Sequence, residues 1–351
     1  MSAQAAASPQ ARASSPGGGD LFLTQWWFDN LLANGFVDAV EPMTVRWDTP
    51  RGSASLPLMA GSSRGRLSSL SNYYTGLFGP VGGDDPLAMT DWDAVAWQLR
   101  QLPSSAVLQM QPLDAASAWL PRFESGLQNR GYWTDRYFSF GNWFQPVPLG
   151  GFEVYWAARP SALRNTVARA LKRLNKLGDW RLEIVTGPQP GLNAAIDTYV
   201  SVYNRSWKVP EPNPAFMPGL IRLAAVQGWL RLGLLWVAGE PVAAQVWLVA
   251  GGKANIFKLA YAQGHEKLST GSVLTAELMR HVMDTDQVRE VDFLSGDDAY
   301  KADWMDCRRE RVGLLAFDQR HWRGWLAASR HILHRYGQRL KQIVSAVVSR
   351  R

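Results

Sequence analysis

The chain has 351 residues, 46% hydrophobic and 19% charged, which excludes a mostly disordered polymer and exceeds the roughly 250 residues that one hydrophobic core usually organises. Its single cysteine, Cys307, excludes an internal disulfide and a cysteine-based zinc site. The net charge of +7 is concentrated: seven basic residues against one acid between Arg159 and Arg181, eleven against two from Arg308 to Arg351, and −8 over the remainder. Each basic stretch suits phosphates, anionic lipids or nucleic acid, and equally a solvated helix face.

Residues 1–20 are rich in Ala, Ser, Pro and Gly and lack the apolar run of a secretory signal, so a disordered tail and a cytoplasmic location are expected. Trp26, Trp27, Phe28, Leu31 and Leu32 then recur at helical spacing up to Gly35. Strand-like runs follow at Met43–Trp47, Ser55–Met59 and Leu67–Tyr74. Thr90 and Asp91 are N-cap residues for a helix through Leu102, and Val107–Met110 (strand), Ala115–Arg130 (helix) and Tyr132–Phe140 (strand) complete the first half.

The second half starts at Pro160-Ser161. Leu163, Val167, Leu171 and Leu174 form one helix face until Gly178, with Arg164, Arg169, Lys172, Arg173 and Lys176 off it. A strand at Trp180–Val185, helices near Leu192–Trp207 and Ala215–Gln227, and three strands at Trp229–Val237, Val242–Val249 and Ala254–Tyr261 come next. Gly239-Glu240-Pro241 interrupts the apolar stretch Leu230–Ala250, making it two strands and not a membrane span. A helix at Ser272–Met283, a strand at Glu290–Leu294, a short helix at Asp298–Trp304 and a strand at Val312–Phe317 finish the unit. Helix, three-strand meander, helix, strand, helix, strand thus occurs twice. That is the element order of the GNAT acyltransferase fold, so the expected class is α/β with a mixed sheet and tandem GNAT-like domains. These comprise a degenerate unit over 21–151, a second over 152–318 with its basic helix at 161–178, and a C-terminal helix over 319–351.

Asp292-Phe293-Leu294-Ser295-Gly296-Asp297-Asp298-Ala299-Tyr300-Lys301, with Trp304 following, resembles the signature of the FemAB-like GNAT family that includes CelD-like cellulose-biosynthesis proteins. Leu163-Arg164-Asn165, Ser206-Trp207-Lys208 and Gly239–Ala244 support the resemblance, which covers about Phe152–Phe317. It implies transfer of an acyl group from an acyl-CoA, acetyl-CoA in the simplest case, to an amine on a sugar, cell-envelope or exopolysaccharide precursor. The alternatives are an aminoacyl-tRNA-dependent FemAB-type transferase and a non-catalytic component of exopolysaccharide machinery.

The resemblance would place the cofactor diphosphate on Leu268, Ser269, Thr270, Gly271 and Ser272, where a helix N-terminus favours an anion; on spacing alone these residues are a helix cap. The two glycines of the general pattern are reduced to Gly271, and Thr270 stands where a proline is common in the family. Tyr300 is the implied proton donor to the departing sulfur. Lys301 is read as a phosphate or carbonyl ligand, and Asp292, Asp297 and Asp298 as positioners or bases for the amine, with helix capping the bland reading of Asp297 and Asp298. Trp207 can stack on a sugar ring and Lys208 bind a phosphate, or the pair can be a core tryptophan with a snorkelling lysine. Arg164 and Trp304 join the substrate side through the signature.

Other motifs fail on context. Gly61-Ser62-Ser63-Arg64-Gly65 fits G-x-S-x-G between antiparallel strands with no helix after it. Gly251-Gly252-Lys253 is a hairpin turn, and His331 and His334 form no metal set. No metal and no specific nucleic acid are expected. Trp322, Trp325, Leu333, Tyr336, Leu340, Ile343, Val344 and Val347 fall on one face of the C-terminal helix, with Arg330, Arg335, Arg339 and Lys341 off it. This face either docks on the protein or lies on an anionic membrane surface.

Overall fold

The computed structural model describes residues 19–49, 52–61, 65–82 and 90–348, with side chains through 335. Of the expected tail, residues 1–18 lie outside that set. Asp20 belongs to the fold: its carboxylate caps the turn Leu21–Leu23 by accepting from Phe22 N–H and takes a 2.5 Å bond from Lys253 Nζ. Thr24 caps α1 (Gln25–Asn34) through its hydroxyl, and Asp91 caps α2 (Trp92–Gln101) through its carboxylate, both as their residue types predict.

The first half continues through β1 (Pro42–Thr49), β2 (Gly52–Ala60), β3 (Arg66–Ser69), β4 (Val107–Asp114), α3 (Trp119–Asn129) and β5 (Tyr132–Pro146). The third strand ends at Ser69 and not at Tyr74. The Ser69 and Ser71 hydroxyls donate to Gln111 O, and Asn72 closes a turn by accepting from Tyr74 N–H. α4 (Gly151–Ala157) was not expected; it is a single short run begun by two glycines at positive φ.

The second half holds α5 (Ser161–Leu177), β6 (Trp180–Val185), α6 (Leu192–Asn204), α7 (Phe216–Val226), β7 (Leu230–Val237), β8 (Glu240–Ala250) and β9 (Lys253–Tyr261). α8 (Thr270–Arg280), β10 (Glu290–Ser295), α9 (Lys301–Trp304), β11 (Cys307–Asp318) and α10 (Trp322–Val348) complete it. α5 buries Leu163, Val167, Ala170 and Leu174 and ends on Gly178 at φ 80°, leaving its basic residues as a solvated face. No helix among the described residues is long and apolar enough to cross a membrane.

All eleven strands join one mixed sheet in the order β1-β2-β3-β4-β11-β5-β10-β9-β8-β7-β6. Its symmetry carries the repeat: β3 runs parallel to β4 as β9 does to β10, each after an antiparallel meander. The last strands are exchanged. β11, from the second half, pairs with β4, and β5, from the first, pairs with β10, while β5 and β11 pair with each other along their length. The expected boundary at 151/152 therefore divides the chain but not the sheet.

Two clusters cover the sheet. One gathers α1, α2 and α3 with α6 and α7, and Trp27 packs on Phe216 and Phe257 at 5.9 Å, joining the halves. The other gathers α4, α5 and α8. β8 sends Ala244, Val246 and Leu248 to the first cluster and Ala243 and Trp247 to the second. Burial on both faces accounts for its apolar runs on either side of Gln245.

Candidate functional site

β9 and β10 pair in parallel from Glu290↔Lys253 to Asp292↔Asn255 and then part. The separation is built by Asp292. Its carboxylate accepts from Leu294 N–H at 2.7 Å, drawing Leu294 to φ 54° and setting a bulge in the pairing with β5. Asp292 is 1% exposed, bonded by Asn142 Nδ2 at 2.6 Å and Arg309 Nη2 at 2.5 Å, with Lys253 Nζ at 3.8 Å. Burial by itself pushes its carboxyl up, but Lys253, Arg309 and the hydrogen bonds hold it below the ordinary carboxylate range. Asp292 thus shapes the site from beneath and does not face it, which corrects the expectation of a substrate base.

Where the strands part, a cavity of about 250 Å³ lies between Ile256–Leu259 and Phe293–Ser295, walled by Tyr73–Gly76 after β3 and by Asp298, Tyr300 and Lys301 around α9. Tyr300 meets it with its ring edge-on to Phe293 at 5.8 Å and is 45% exposed; burial of the phenol and then the Asp298 charge push its pKa up to about 12. It is a protonated donor at neutral pH. Lys301 is buried, and its ammonium donates to the carbonyls of Ser295 (2.6 Å), Gly296 (3.2 Å) and Phe293 (3.4 Å). With its donors taken by backbone, it fastens the turn carrying Tyr300, a correction to the phosphate-binding expectation.

Lys208 enters the cavity half-buried, and burial followed by repulsion from Lys258 brings its pKa down to about 8. Lys258 ion-pairs with half-buried Glu211 at 2.8 Å, reaches Tyr73 Oη at 3.3 Å and lies over the Tyr73 ring at 4.6 Å. Glu211 also accepts from Tyr74 Oη at 2.7 Å. Tyr73, Tyr74, Glu211 and Lys258 were not foreseen. Lys258 carried a readable signal, being a lone cation inside the apolar strand Ala254–Tyr261; the tyrosines reach the cavity only through a turn read as strand.

The remaining expected residues divide. Trp207 is 48% exposed and tilted against Tyr261 with ring centroids 4.2 Å apart, and Tyr261 in turn sits where a side chain on Gly271 would meet it. Trp207, Lys208 and the N-terminus of α8 are therefore contiguous. No side chain caps that terminus, Ser269 stands at φ 50°, and the Thr270 hydroxyl is buried without a hydrogen-bond partner. Neither Asp297 nor Asp298 caps α9, which begins at Lys301. Asp297 points away, bound by Arg308 at 2.6 Å and Trp143 Nε1 at 2.9 Å, and the Arg308 bond leads in holding its carboxyl low. Trp304 is core, 6.0 Å from Trp156, and Arg164 is exposed on α5 with its Nε donating to Arg159 O; neither lines the cavity.

In the first half the matching pair β3/β4 parts after Ser68↔Gln109, but the Ser69 and Ser71 hydroxyls close on Gln111. The open split therefore belongs to the second half.

A chain with an opened parallel pair, a protonated tyrosine in the cavity of the split and an uncapped helix N-terminus against the end of β9 has the parts of an acyl-transfer domain. Residues 161–302 match the family model of the acetyltransferase (GNAT) domain, and by that domain the protein is an acyltransferase. Among solved structures, FemX is similar at a TM-score of 0.60 and 11% identity, over 87% of this chain and 93% of FemX. The C-terminal (DUF2156) domain of a putative lysylphosphatidylglycerol synthetase from Agrobacterium fabrum is similar at 0.52 and 14%, over 82% of this chain and 87% of that one. A conserved protein of unknown function from Bacteroides thetaiotaomicron follows at 0.50 and 13%, over 78% and 86%. At these identities the likeness concerns the fold, which is FemAB-like and spans both halves; nothing in it is specific to CelD-like proteins. No curated protein sequence matches the chain.

Proposed function

We propose that the protein transfers an acyl group, acetyl in the first instance, from acyl-CoA to an amine borne by a sugar or cell-envelope precursor. The observation that carries the reading is the split between β9 and β10 beside the uncapped start of α8. A thioester arm fits between strands that no longer hydrogen-bond each other, and a diphosphate fits on free N–H groups at the positive end of a helix. The buried, unpartnered Thr270 hydroxyl fits such a ligand, because a buried donor without a partner is costly unless something bound uses it. When bound, the thioester supplies an activated acyl group.

The chain's own residues then have separate tasks. Tyr300 holds a proton at its phenol oxygen and gives it to the departing sulfur, a direction its raised pKa suits. Lys301 and Asp292 position that tyrosine through the turn and the bulge. Trp207 offers an exposed ring for a sugar face, and Lys208 a cation for an acidic group on the acceptor. The acceptor class rests on the resemblance of the Asp292–Lys301 segment and of Trp207-Lys208.

Thermal unfolding with and without acetyl-CoA tests the donor. At about a hundred times its dissociation constant the ligand adds ~2.7 kcal/mol of stability. Tyr300→Phe then lowers turnover roughly a hundredfold at nearly unchanged acyl-CoA affinity, since the ring still packs and only the donor is lost. Near-normal turnover of that variant would remove Tyr300 as the acid. Absence of any stabilisation by acetyl-CoA or a longer acyl-CoA would leave the non-catalytic reading.

A further inference from the structure

α10 sits on the sheet by the face opposite its apolar stripe. Gly324 is buried against the backbone of Asp318, with no room for a side chain. Ala328 faces Trp133 and Phe317, and His331 reaches Asp135 at 2.7 Å while packing against the same two rings. The small and polar side of the helix is thus the docked side. The apolar side, for which the sequence allowed either docking on the protein or lying on a membrane surface, points outward: Trp322 is 67% exposed, Trp325 63% and Leu333 72%, with Leu326 beside them. Tyr336, Leu340, Ile343, Val344 and Val347 lie outside the described side chains.

An outward row of two tryptophans and two leucines is more apolar surface than a monomeric protein usually leaves to water. The charges around it identify what covers it. Between Trp322 and Val348 the chain has five Arg or Lys and no Asp or Glu. On one flank of the helix Trp322 and Leu326 share the lining of a cavity of about 530 Å³ with Arg66, Arg323 and Arg330 and with no carboxylate. Arg335 is answered by Asp135, but a second copy packed helix to helix would bring the other cations together with no acid on the helix to offset them. An anionic lipid surface offers what both features need: acyl chains for the indoles and leucines, and phosphates for the flanking arginines.

We propose that α10 is an interfacial membrane helix that docks the protein on anionic phospholipid through Trp322, Trp325, Leu326 and Leu333, with Arg323 and Arg330 at the headgroup level. This inference does not depend on the acyl-transfer reading. The side chains involved are exposed, so replacing them leaves the fold in place.

Flotation of the full chain tests it with two kinds of vesicle, phosphatidylcholine alone and equal parts phosphatidylcholine and phosphatidylglycerol. The protein is expected to float with the anionic vesicles at least roughly tenfold better than with the neutral ones, and less so as salt is raised. Trp322→Ala/Trp325→Ala/Leu333→Ala abolishes flotation, Arg323→Ala/Arg330→Ala erases the preference for the anionic lipid, and both keep the parent's melting temperature. Failure to float with either vesicle overturns the proposal, as does flotation unchanged in the triple variant. A dimer in solution that the triple variant converts to monomer, without vesicle binding, assigns the face to a second copy and equally overturns it.

Discussion

Lys208 titrates far from an ordinary lysine. Its ammonium has lost water to burial and is repelled by Lys258, whose own charge is answered by Glu211 2.8 Å away. With a pKa of about 8, roughly half of Lys208 is a neutral amine at pH 8, whereas an ordinary lysine near 10.4 is under about 1% neutral there. Below pH 8 the residue is a cation suited to an acidic group on the acceptor; above it that attraction fades. Competitive labelling by an amine-reactive anhydride at pH 8, read by mass spectrometry, should modify Lys208 roughly tenfold faster than solvent-exposed Lys172, the cavity's partial enclosure taking back some of the gain. Equal rates at the two positions would mean that Lys208 titrates as a surface lysine.

At the scale of single elements, α8 has a conflict that a ligand resolves. Thr270 is 1% exposed and its hydroxyl has no partner, although a valine of the same shape fits without that loss. Thr270→Val should therefore raise the stability of the free protein by about 1 kcal/mol, since an unpaired buried hydroxyl is disfavoured. The same change should shrink the stabilisation given by acetyl-CoA. Urea unfolding of both proteins, with and without ligand, measures the two effects, and a destabilised free protein would show that the hydroxyl is satisfied where it stands. Much at this scale was legible beforehand. Asp91 announced its helix, Gly178 closed α5 and Gly239 turned β7 into β8, because caps and turns are set by residues a few positions apart. The signature around Tyr300 was legible too, but the duties of Lys301 and Asp292 were not. Lys301's is decided by how its turn folds back on the carbonyls of Ser295 and Gly296, and Asp292's by what lies across the sheet, Asn142 and Arg309. The outward face of α10 was illegible for the same reason, since periodicity finds an apolar stripe without saying which side the sheet takes.

For the whole molecule, the exchange of last strands governs cooperativity. β5 lies between β11 and β10, and β11 between β4 and β5, so each half's sheet is completed by a strand encoded in the other. The larger apolar cluster follows the same plan, joining Trp27 and Phe28 of α1 to Phe216 and Leu220 of α7. A fragment ending at the 151/152 boundary keeps β5 but loses both its neighbours, leaving β4 with an exposed apolar edge that favours aggregation. Two independent domains would melt in two steps, whereas halves sharing a sheet and a core melt in one. Tryptophan fluorescence and far-ultraviolet circular dichroism should therefore report coincident urea transitions for the full chain, and residues 19–151 expressed alone should be insoluble or unfolded. Two separated transitions, or a soluble fragment with a cooperative melt of its own, would show that the exchanged strands add little and that the halves are held apart by their separate cores.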